Sequence, residues 1–472
     1  MAEKTPAPET TQASILARIV LTGKLVLAAP LRIGTGVEGA GSHEADIYVL
    51  KDEAGCPFIP GSSLTGVLRA WMTATHGASM AKDFFGDERA SRDKNGIQSS
   101  LDVRDIPLGN ASITLRDGVC LQEGTGTAKK GGKFNYEAVE RGANGKLQIV
   151  LTLRRYHASR YDTILSAMKD LAGALHSGIH LGSLTSLGFG KAVCPTPHLY
   201  VYDFRKGRAA AAAWLCRAPY GETALPEQAE RCAPAGTFRV QASFHLRTSL
   251  LVRRRTEEKL DGSNLTITAK PLKSGEDFVL PGASLKGVLR HRAAHILRKL
   301  DWQEDAIQGY LEDLMGTAND REGTAKKSRL RVEESYLKKQ DARATEAAQA
   351  RMHADRFTGG VIHLFGEKAV WQQGDAPALT IRYEVRPKKD APSSGDIGLA
   401  LLLLKDLWLG DVALGGDKSI GRGRLQGHDA TFRYWDADGH EQTWTLDETG
   451  RLTAGDATPL EAWVQELDRS RG

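Results

Sequence analysis

The strongest constraint on this chain is that it says nearly the same thing twice. Pro60–Arg69 reads PGSSLTGVLR and Pro281–Arg290 reads PGASLKGVLR, with two differences in ten positions and an offset of 221 residues. Two more matches follow in the same order. SLDVRD (Ser100–Asp105) pairs with RLRVEE (Arg329–Glu334) at an offset of 229, and LGSLTSLGFGKA from Leu181 pairs with LGGDKSIGRGRL from Leu414 at 233. Three collinear matches at nearly constant offset mean a tandem duplication, with about 200 residues per copy.

The boundaries follow from the repeat. Residues 1–13 read as a loose tail rich in Thr, Pro and Glu, and 14–204 as the first domain. Residues 205–236, with an Ala run and several prolines, read as a linker, 237–435 as the second domain, and 436–472 as a terminal hairpin and helix. Each copy opens with a strand (Ala17–Leu27; Phe238–Leu251). A Pro-Gly turn then starts a helix (Ser63–Thr75; Ser284–Leu300), for which Ser63 and Ser284 are the expected N-caps. A further strand (Gln148–Leu153; Leu379–Val385), a second helix (Asp162–His176; Gly398–Trp408) and a Gly-rich loop leading to a last strand complete the unit. The class is α+β, and the order strand–helix–strand twice over predicts two tandem ferredoxin-like (RRM-like) domains.

Composition narrows the function classes. Five scattered cysteines without a CxxC argue against a disulfide framework or a structural zinc site, and fit a reducing cytoplasm. The polar N-terminus predicts no secretory signal, and the longest apolar run, Ile397–Leu404, is too short to span a bilayer. A net charge of +5 permits nucleic-acid binding without requiring it.

Several segments carry chemistry. The Pro-Gly turns (Gly61, Ser62, Ser63; Gly282, Ser284) present N–H groups at a helix start, where a phosphate can approach, and Arg69, Lys286 and Arg290 lie on the same helices. The alternative is a tight strand-to-helix turn. The Gly-rich loops (Gly188, Gly190 with Lys191; Gly421, Arg422, Gly423) offer the same two readings. Basic, irregular insertions carry Lys129, Lys130 and Lys133 near Phe134 and Tyr136, then Lys326 and Lys327, and Arg356 beside Phe357. Charge there suits phosphate and rings suit bases, although a solvated loop has the same composition. In Gly34–Asp52, His43, Glu44 and Asp46 follow a glycine run, and a carboxylate there can orient a ribose 2′-OH or hold a metal.

With these motifs in view, the chain resembles the RAMP superfamily of CRISPR-associated proteins, in particular the fused double backbone subunit of type III (III-D-like) effector complexes. The resemblance rests on LRIGTG (Leu31–Gly36), FIPGSSLTGVLR (Phe58–Arg69), FFGD (Phe84–Asp87), HADRFTGG (His353–Gly360) and the two Gly-rich loops. It implies an RRM-like palm gripping a guide crRNA, with thumbs at Gly124–Arg141 and Gly323–Gly360 that kink the guide–target duplex. A loop aspartate would cut target RNA beside each kink. The resemblance places that residue at Asp46, six residues before Asp52, with Mg²⁺ or Mn²⁺ as cofactor and Asp46 as a candidate metal ligand. It also implies the other RAMP and large subunits of a type III complex as partners, and a prokaryotic cytoplasm.

The second copy departs from the pattern. Counting back from Pro281 reaches Ile267, or Thr266 with a one-residue slip; the nearest upstream acid is Asp261, a second candidate catalytic residue, and SLLVRRR replaces LRIGTG. That copy then binds without cutting, or uses Asp261 on a differently shaped loop. Three rivals stand: a purely structural crRNA-binding subunit, a RAMP endoribonuclease that processes precursor crRNA through His43, and a tandem RRM protein outside CRISPR. The last would require paired aromatics on a central strand, which the sequence lacks.

Overall fold

The computed structural model describes residues 14–35, 46–87, 98–122, 127–225, 234–260, 265–317, 325–338, 341, 343–388 and 394–469. The chain forms two compact units. The first comprises residues 1–119, 133–185 and 189–231, and the second comprises 120–132, 186–188 and 232–472.

In the first unit β1 (Ile15–Leu27) is the spine. It is followed by α1 (Gly61–Phe85), β2 (Leu101–Val103), the hairpin strands β3 (Ile113–Leu121) and β4 (Ala128–Val139) apart from residues 120–132, β5 (Asn144–Arg154), α2 (Tyr161–Ser177), β6 (Lys191–Val193) and β7 (His198–Asp203). β1 pairs antiparallel with β5 (Ile19↔Leu151) and with β7 (Ile19↔Val201), and β2 pairs with β5 (Leu101↔Leu151), giving the order β7-β1-β5-β2. Alternation along β1 puts Ala17, Ile19 and Leu21 on the helix side, all with no exposed area. Leu64, Leu68 and Met72 of α1, and Ile164, Met168, Leu171 and Leu175 of α2, recur at helical spacing and fill the same core. α1 runs past the predicted Thr75 because the chain breaks only at Gly77, whose φ of 83° interrupts the helix before it resumes to Phe85.

Residues 205–225 of the segment read as a linker are folded into this unit. Arg208–Leu215 forms α3, and β8 (Glu222–Thr223) pairs with β7. The Ala run favours helix, and Trp214 stacks edge-on to Tyr202 under the Arg18 guanidinium, 4.3 Å from the ring. This covers the outer sheet face at Val20 and Val150.

The second unit repeats the plan. Its elements are β9 (Phe238–Leu246), β10 (Arg253–Lys259), β11 (Thr266–Pro271), α4 (Gly282–Lys299), α5 (Glu304–Met315), β12 (Leu330–Val332), β13 (Ala344–Ala354), β14 (Val361–Gln372), β15 (Leu379–Val385), α6 (Ser394–Trp408) and β16 (Leu425–Trp435). Its sheet runs β12-β15-β9-β16, the same second–third–first–fourth order as in the first unit. The C-terminal residues extend this sheet through β17 (Glu441–Leu446) and β18 (Leu452–Ala454). They end in α7 (Ala457–Arg469), which lies along α6 so closely that a Cβ on Gly398 would sit 2.2 Å from the Trp463 carbonyl oxygen. The apolar run Ile397–Leu404 is thus a helix shared between sheet and α7. Among the described residues no helix is long and apolar enough to cross a membrane.

The insertions expected to be irregular are ribbons. β3 and β4 pair as a two-stranded hairpin, while β13 and β14 pair from Ala344↔Gln372 to Ala354↔Val361 and join β11 and β10 in a four-stranded sheet.

Candidate functional site

The Pro-Gly turn proves to be a packing device in both copies. The N-cap is Pro60 in α1 and Pro281 in α4, with no side-chain cap; Ser63 and Ser284 lie inside the helices and do not cap them. The orphan N–H of Gly61 donates instead to the Asp105 carboxylate at 2.7 Å. A Cβ on Gly61 would lie 2.2 Å from the Val103 carbonyl oxygen, and one on Gly282 would lie 3.0 Å from that of Val332, the residue matching Val103. Two of the repeated motifs are therefore partners of each other. Ser62 remains exposed.

The helix cations are also placed by the fold. Arg69 donates to the carbonyl of Gly86 at 3.0 Å, and Arg290 donates to that of the matching Gly316 at 3.1 Å. Beside each, a serine that the motif comparison missed makes matching bonds: Ser99 donates to Phe84 and Leu101, and Ser328 to Leu314 and Leu330. Lys286 is 7% exposed and its Nζ donates to Ser328 Oγ at 2.6 Å. Burial, with Arg290 adding to it, lowers its ammonium to about 7. The expectation that Lys286 meets a phosphate is corrected, because its head group is enclosed by protein.

The Gly-rich loops are also built alike. Gly190 and Gly423 have φ of 81° and 80°, and a Cβ on either would lie 1.9 Å from the carbonyl oxygen of Leu181 or Leu414. Their N–H groups donate to Pro30 and Ser249, so they are not open to a ligand. Gly188 and Gly421 share a φ of 90°; Gly421 is exposed and Gly188 buried. Lys191 is half-buried at the start of β6. Leu184 and Asp417 both take the left-handed conformation, at 58° and 59°.

Asp46 sits where these parts converge in the first unit. Its Oδ2 accepts the Asn135 N–H at 2.7 Å, while its own N–H donates to Asn135 Oδ1 at 2.8 Å, which pins it to β4. Ile47 bridges Tyr136, and Val49 N–H donates to Glu137 Oε2 at 3.0 Å. Tyr136 is buried, against the expectation of a ring offered to bases. It packs edge-on to Phe189 of the Gly-rich loop at 6.1 Å, with Phe134 stacked on it and the Arg32 guanidinium 5.2 Å from its ring. Burial pushes that guanidinium below its ordinary value. Below Phe189, the buried Arg116 pairs with the buried Glu140 at 2.8 Å. The result is an exposed carboxylate clasped to Asn135, one residue along β4 from a buried aromatic ring that carries a guanidinium. Asp52 does a different job: its Oδ1 accepts the N–H groups of Ala54 and Cys56 and closes a turn.

The second unit supplies the control within the same molecule. Leu250 and Val370 exchange both backbone bonds as Leu31 and Val139 do, so Glu367 takes the place of Tyr136. Arg422 replaces Phe189 and Asp417 replaces Leu184. Ala269 pairs with Glu367, which sets Thr268 in the position of Asp46, its hydroxyl donating to the Gly366 carbonyl. This strand register replaces the counted alignment to Ile267 or Thr266, and it puts no carboxylate there. Asp261, His43 and Glu44 lie outside the described residues. Arg422 is 4% exposed and ion-paired inside the protein, not offered to solvent as its Gly-flanked position implied.

Lys129, Lys130 and Lys133 are exposed along β4, Lys326 and Lys327 are exposed before β12, and Arg356 and the fully exposed Phe357 occupy the tip between β13 and β14. That tip is closed by Asp355, whose carboxylate accepts the Phe357 and Thr358 N–H groups. Among the described residues the one group of three close ligand side chains is Asp436, Asp438 and His440, in a surface turn, and Asp46 belongs to no such group. One carboxylate oxygen fits Mg²⁺, which is commonly held by one or two carboxylates plus phosphate oxygens and water.

The sequence model of the RAMP superfamily matches residues 24–193 and 243–426, about three quarters of the chain in two blocks. The chain belongs to the RAMP superfamily. The two blocks make it a tandem RAMP protein of mixed α and β structure, in a superfamily whose members are in general crRNA-binding CRISPR proteins. No curated protein matches the chain. Both RAMP blocks contain the Pro-Gly helix start, its strand partner and the Gly-rich loop, the elements that the internal repeat had marked.

Proposed function

We propose that this tandem RAMP protein is a backbone subunit of a type III CRISPR ribonucleoprotein, in which both ferredoxin-like domains hold guide crRNA and the first cuts complementary target RNA through Asp46. The observation that carries this reading is the contrast between equivalent positions. Asp46 is fixed by a two-bond clasp to Asn135, whereas its counterpart is Thr268. Base pairing would supply sequence recognition, with protein reading backbone and shape. The β3–β4 and β13–β14 ribbons are the thumbs in this reading.

In the cleavage step, Asp46 Oδ1 takes the proton of a target ribose 2′-OH. The 2′-oxygen attacks the adjacent phosphorus and the P–O5′ bond breaks, the departing 5′-oxygen taking a proton from water, which leaves a 2′,3′-cyclic phosphate and a 5′-hydroxyl; Asp46 then returns its proton to solvent. The Asn135 clasp holds the carboxylate in one orientation, which lowers the entropic cost of reaching the in-line geometry. Arg32, whose guanidinium lies over Tyr136, the residue after Asn135, is the cation that in this reading offsets charge on the phosphate. A divalent metal held through Asp46 would add Lewis-acid stabilisation of the phosphoryl oxygens.

Asp46→Asn in the reconstituted complex should lower target cleavage by about 10²–10⁴-fold, the usual worth of a general base, with crRNA binding retained. Unchanged cleavage would leave the purely structural subunit as the better reading.

A further inference from the structure

The second unit holds a charged cluster where the first holds an apolar plug. Glu367 and Asp417 face Arg253, Arg351 and Arg422. Arg351 Nη2 lies 2.8 Å from Glu367 and 2.7 Å from Asp417, Arg253 Nη2 lies 2.9 Å from Glu367 and also pairs with Asp417, and Arg422 lies 3.3 Å from both acids. Arg422 also donates to Gln349 Oε1 at 2.7 Å. Three guanidiniums against two carboxylates leave the cluster one positive charge in excess.

The loop does not need these charges to hold its shape. In the first unit Phe189 N–H reaches the Leu184 carbonyl at 3.4 Å, and in the second Arg422 N–H reaches that of Asp417 at the same 3.4 Å; the left-handed φ differs by a degree. Leu184, Phe189 and Tyr136 achieve with apolar contact what Asp417, Arg422 and Glu367 achieve with buried charge. Buried ion pairs rarely stabilise a fold better than apolar packing of the same volume. The charged version therefore calls for another purpose. Access to solvent is graded: the side chains of Arg422, Arg351 and Arg253 are 4%, 25% and 47% exposed. The carboxylates engage Nη2 of both Arg253 and Arg351, so each of these partly exposed guanidiniums is fixed at one nitrogen while its other N–H groups are not used by the two acids. Asp417, although burial works against it, is kept below the usual carboxylate range by Arg253 and Arg351.

We propose that Arg253 and Arg351, backed by Arg422, Glu367 and Asp417, form a binding site for an RNA phosphodiester, at the place corresponding to the Asp46 site, where Thr268 stands instead of the aspartate. This rests on the RNA-binding reading above and adds the subsite and its chemistry. Guanidiniums grip phosphate through paired N–H donors, and among the described residues Thr268 stands where the first unit has Asp46, while the carboxylates of Glu367 and Asp417 are engaged by the arginines.

The test is the salt dependence of binding of the full chain to a single-stranded RNA oligonucleotide. Each lost phosphate contact should lower the slope of log K against log salt by about 0.7. Arg253→Gln and Arg351→Gln are each expected to lower it by about that amount, and Arg253→Lys to keep it. Slopes equal to wild type in both Gln variants overturn the site while leaving the RNA-binding reading intact. A wild-type chain that does not bind RNA overturns both. Circular dichroism identifies a variant that fails to fold, and Arg253, half exposed, is the one expected to fold normally.

Discussion

Replacing Lys286 with methionine should stabilise the second unit and leave RNA binding unaltered, although lysine beside a glycine turn reads as a phosphate contact. The ammonium is enclosed between α4 and the segment before β12, with Ser328 as its partner and Arg290 one turn away. Its folded-state value of about 7 against an ordinary 10.5, at about 1.4 kcal/mol per pH unit, sets a ceiling of about 5 kcal/mol on the cost of keeping it charged. Removing the Ser328 bond returns about 1–2 kcal/mol of that. The net gain expected for Lys286→Met at pH 7 is therefore at most about 3–4 kcal/mol. Because the folded-state value is lowered, the unfolded chain holds the proton more tightly, and wild-type stability rises as pH climbs from about 7 towards 10.5. Between pH 7 and 9 linkage gives about 2 kcal/mol, and the methionine variant should lack this rise. Urea unfolding followed by tryptophan fluorescence reads the right unit, since six of the eight tryptophans fall in residues 232–472. A variant less stable than wild type at both pH values, or one with weakened RNA binding, would refute the burial argument.

The remaining predictions concern the repeated scaffold. Gly61→Ala and Gly423→Ala should each destabilise by more than the ~1 kcal/mol typical of a point change, because the added Cβ meets backbone oxygen at 2.2 and 1.9 Å; thermal unfolding checks this. Arg69→Ala and Arg290→Ala should cost about 1–3 kcal/mol each, the price of an unsatisfied buried carbonyl, with unchanged RNA salt slopes. Thr268→Asp should add a target cut assigned to the second domain, visible by primer extension; its absence would mean that the Asn135 clasp is required as well as the carboxylate.

Much of the scaffold was legible because duplication marks it. The motifs that recur, PGSS with SLDVRD and the Gly-rich loop, recur because they touch: Gly61 needs the Val103 backbone and the Asp105 carboxylate, and Gly190 needs Leu181. Reading them first as ligand-binding turns confused close approach by protein with close approach by phosphate. Lys286 was misread although its position was informative, since Gly282, Leu285, Lys286, Leu289 and Ala293 form one stripe at helical spacing and all are buried. The partners of Arg422 could not all be read, because Gln349 and Glu367 reach it from two separate strands. Thr268 was missed by one residue because the shift in register between Ile267 and Ala269 breaks simple counting. The folding of residues 208–223 onto the sheet was hidden behind an alanine run that reads as low-contact sequence.

The account stands or falls on which domain cuts. Target RNA cleaved by the reconstituted complex should be mapped at nucleotide resolution for wild type and Asp46→Asn. One cut per copy of this chain, lost in Asp46→Asn with crRNA still bound, is the predicted result. Two cuts per chain in wild type, or a cut that survives Asp46→Asn, would contradict the assignment of catalysis to the first domain and of phosphate holding to the second.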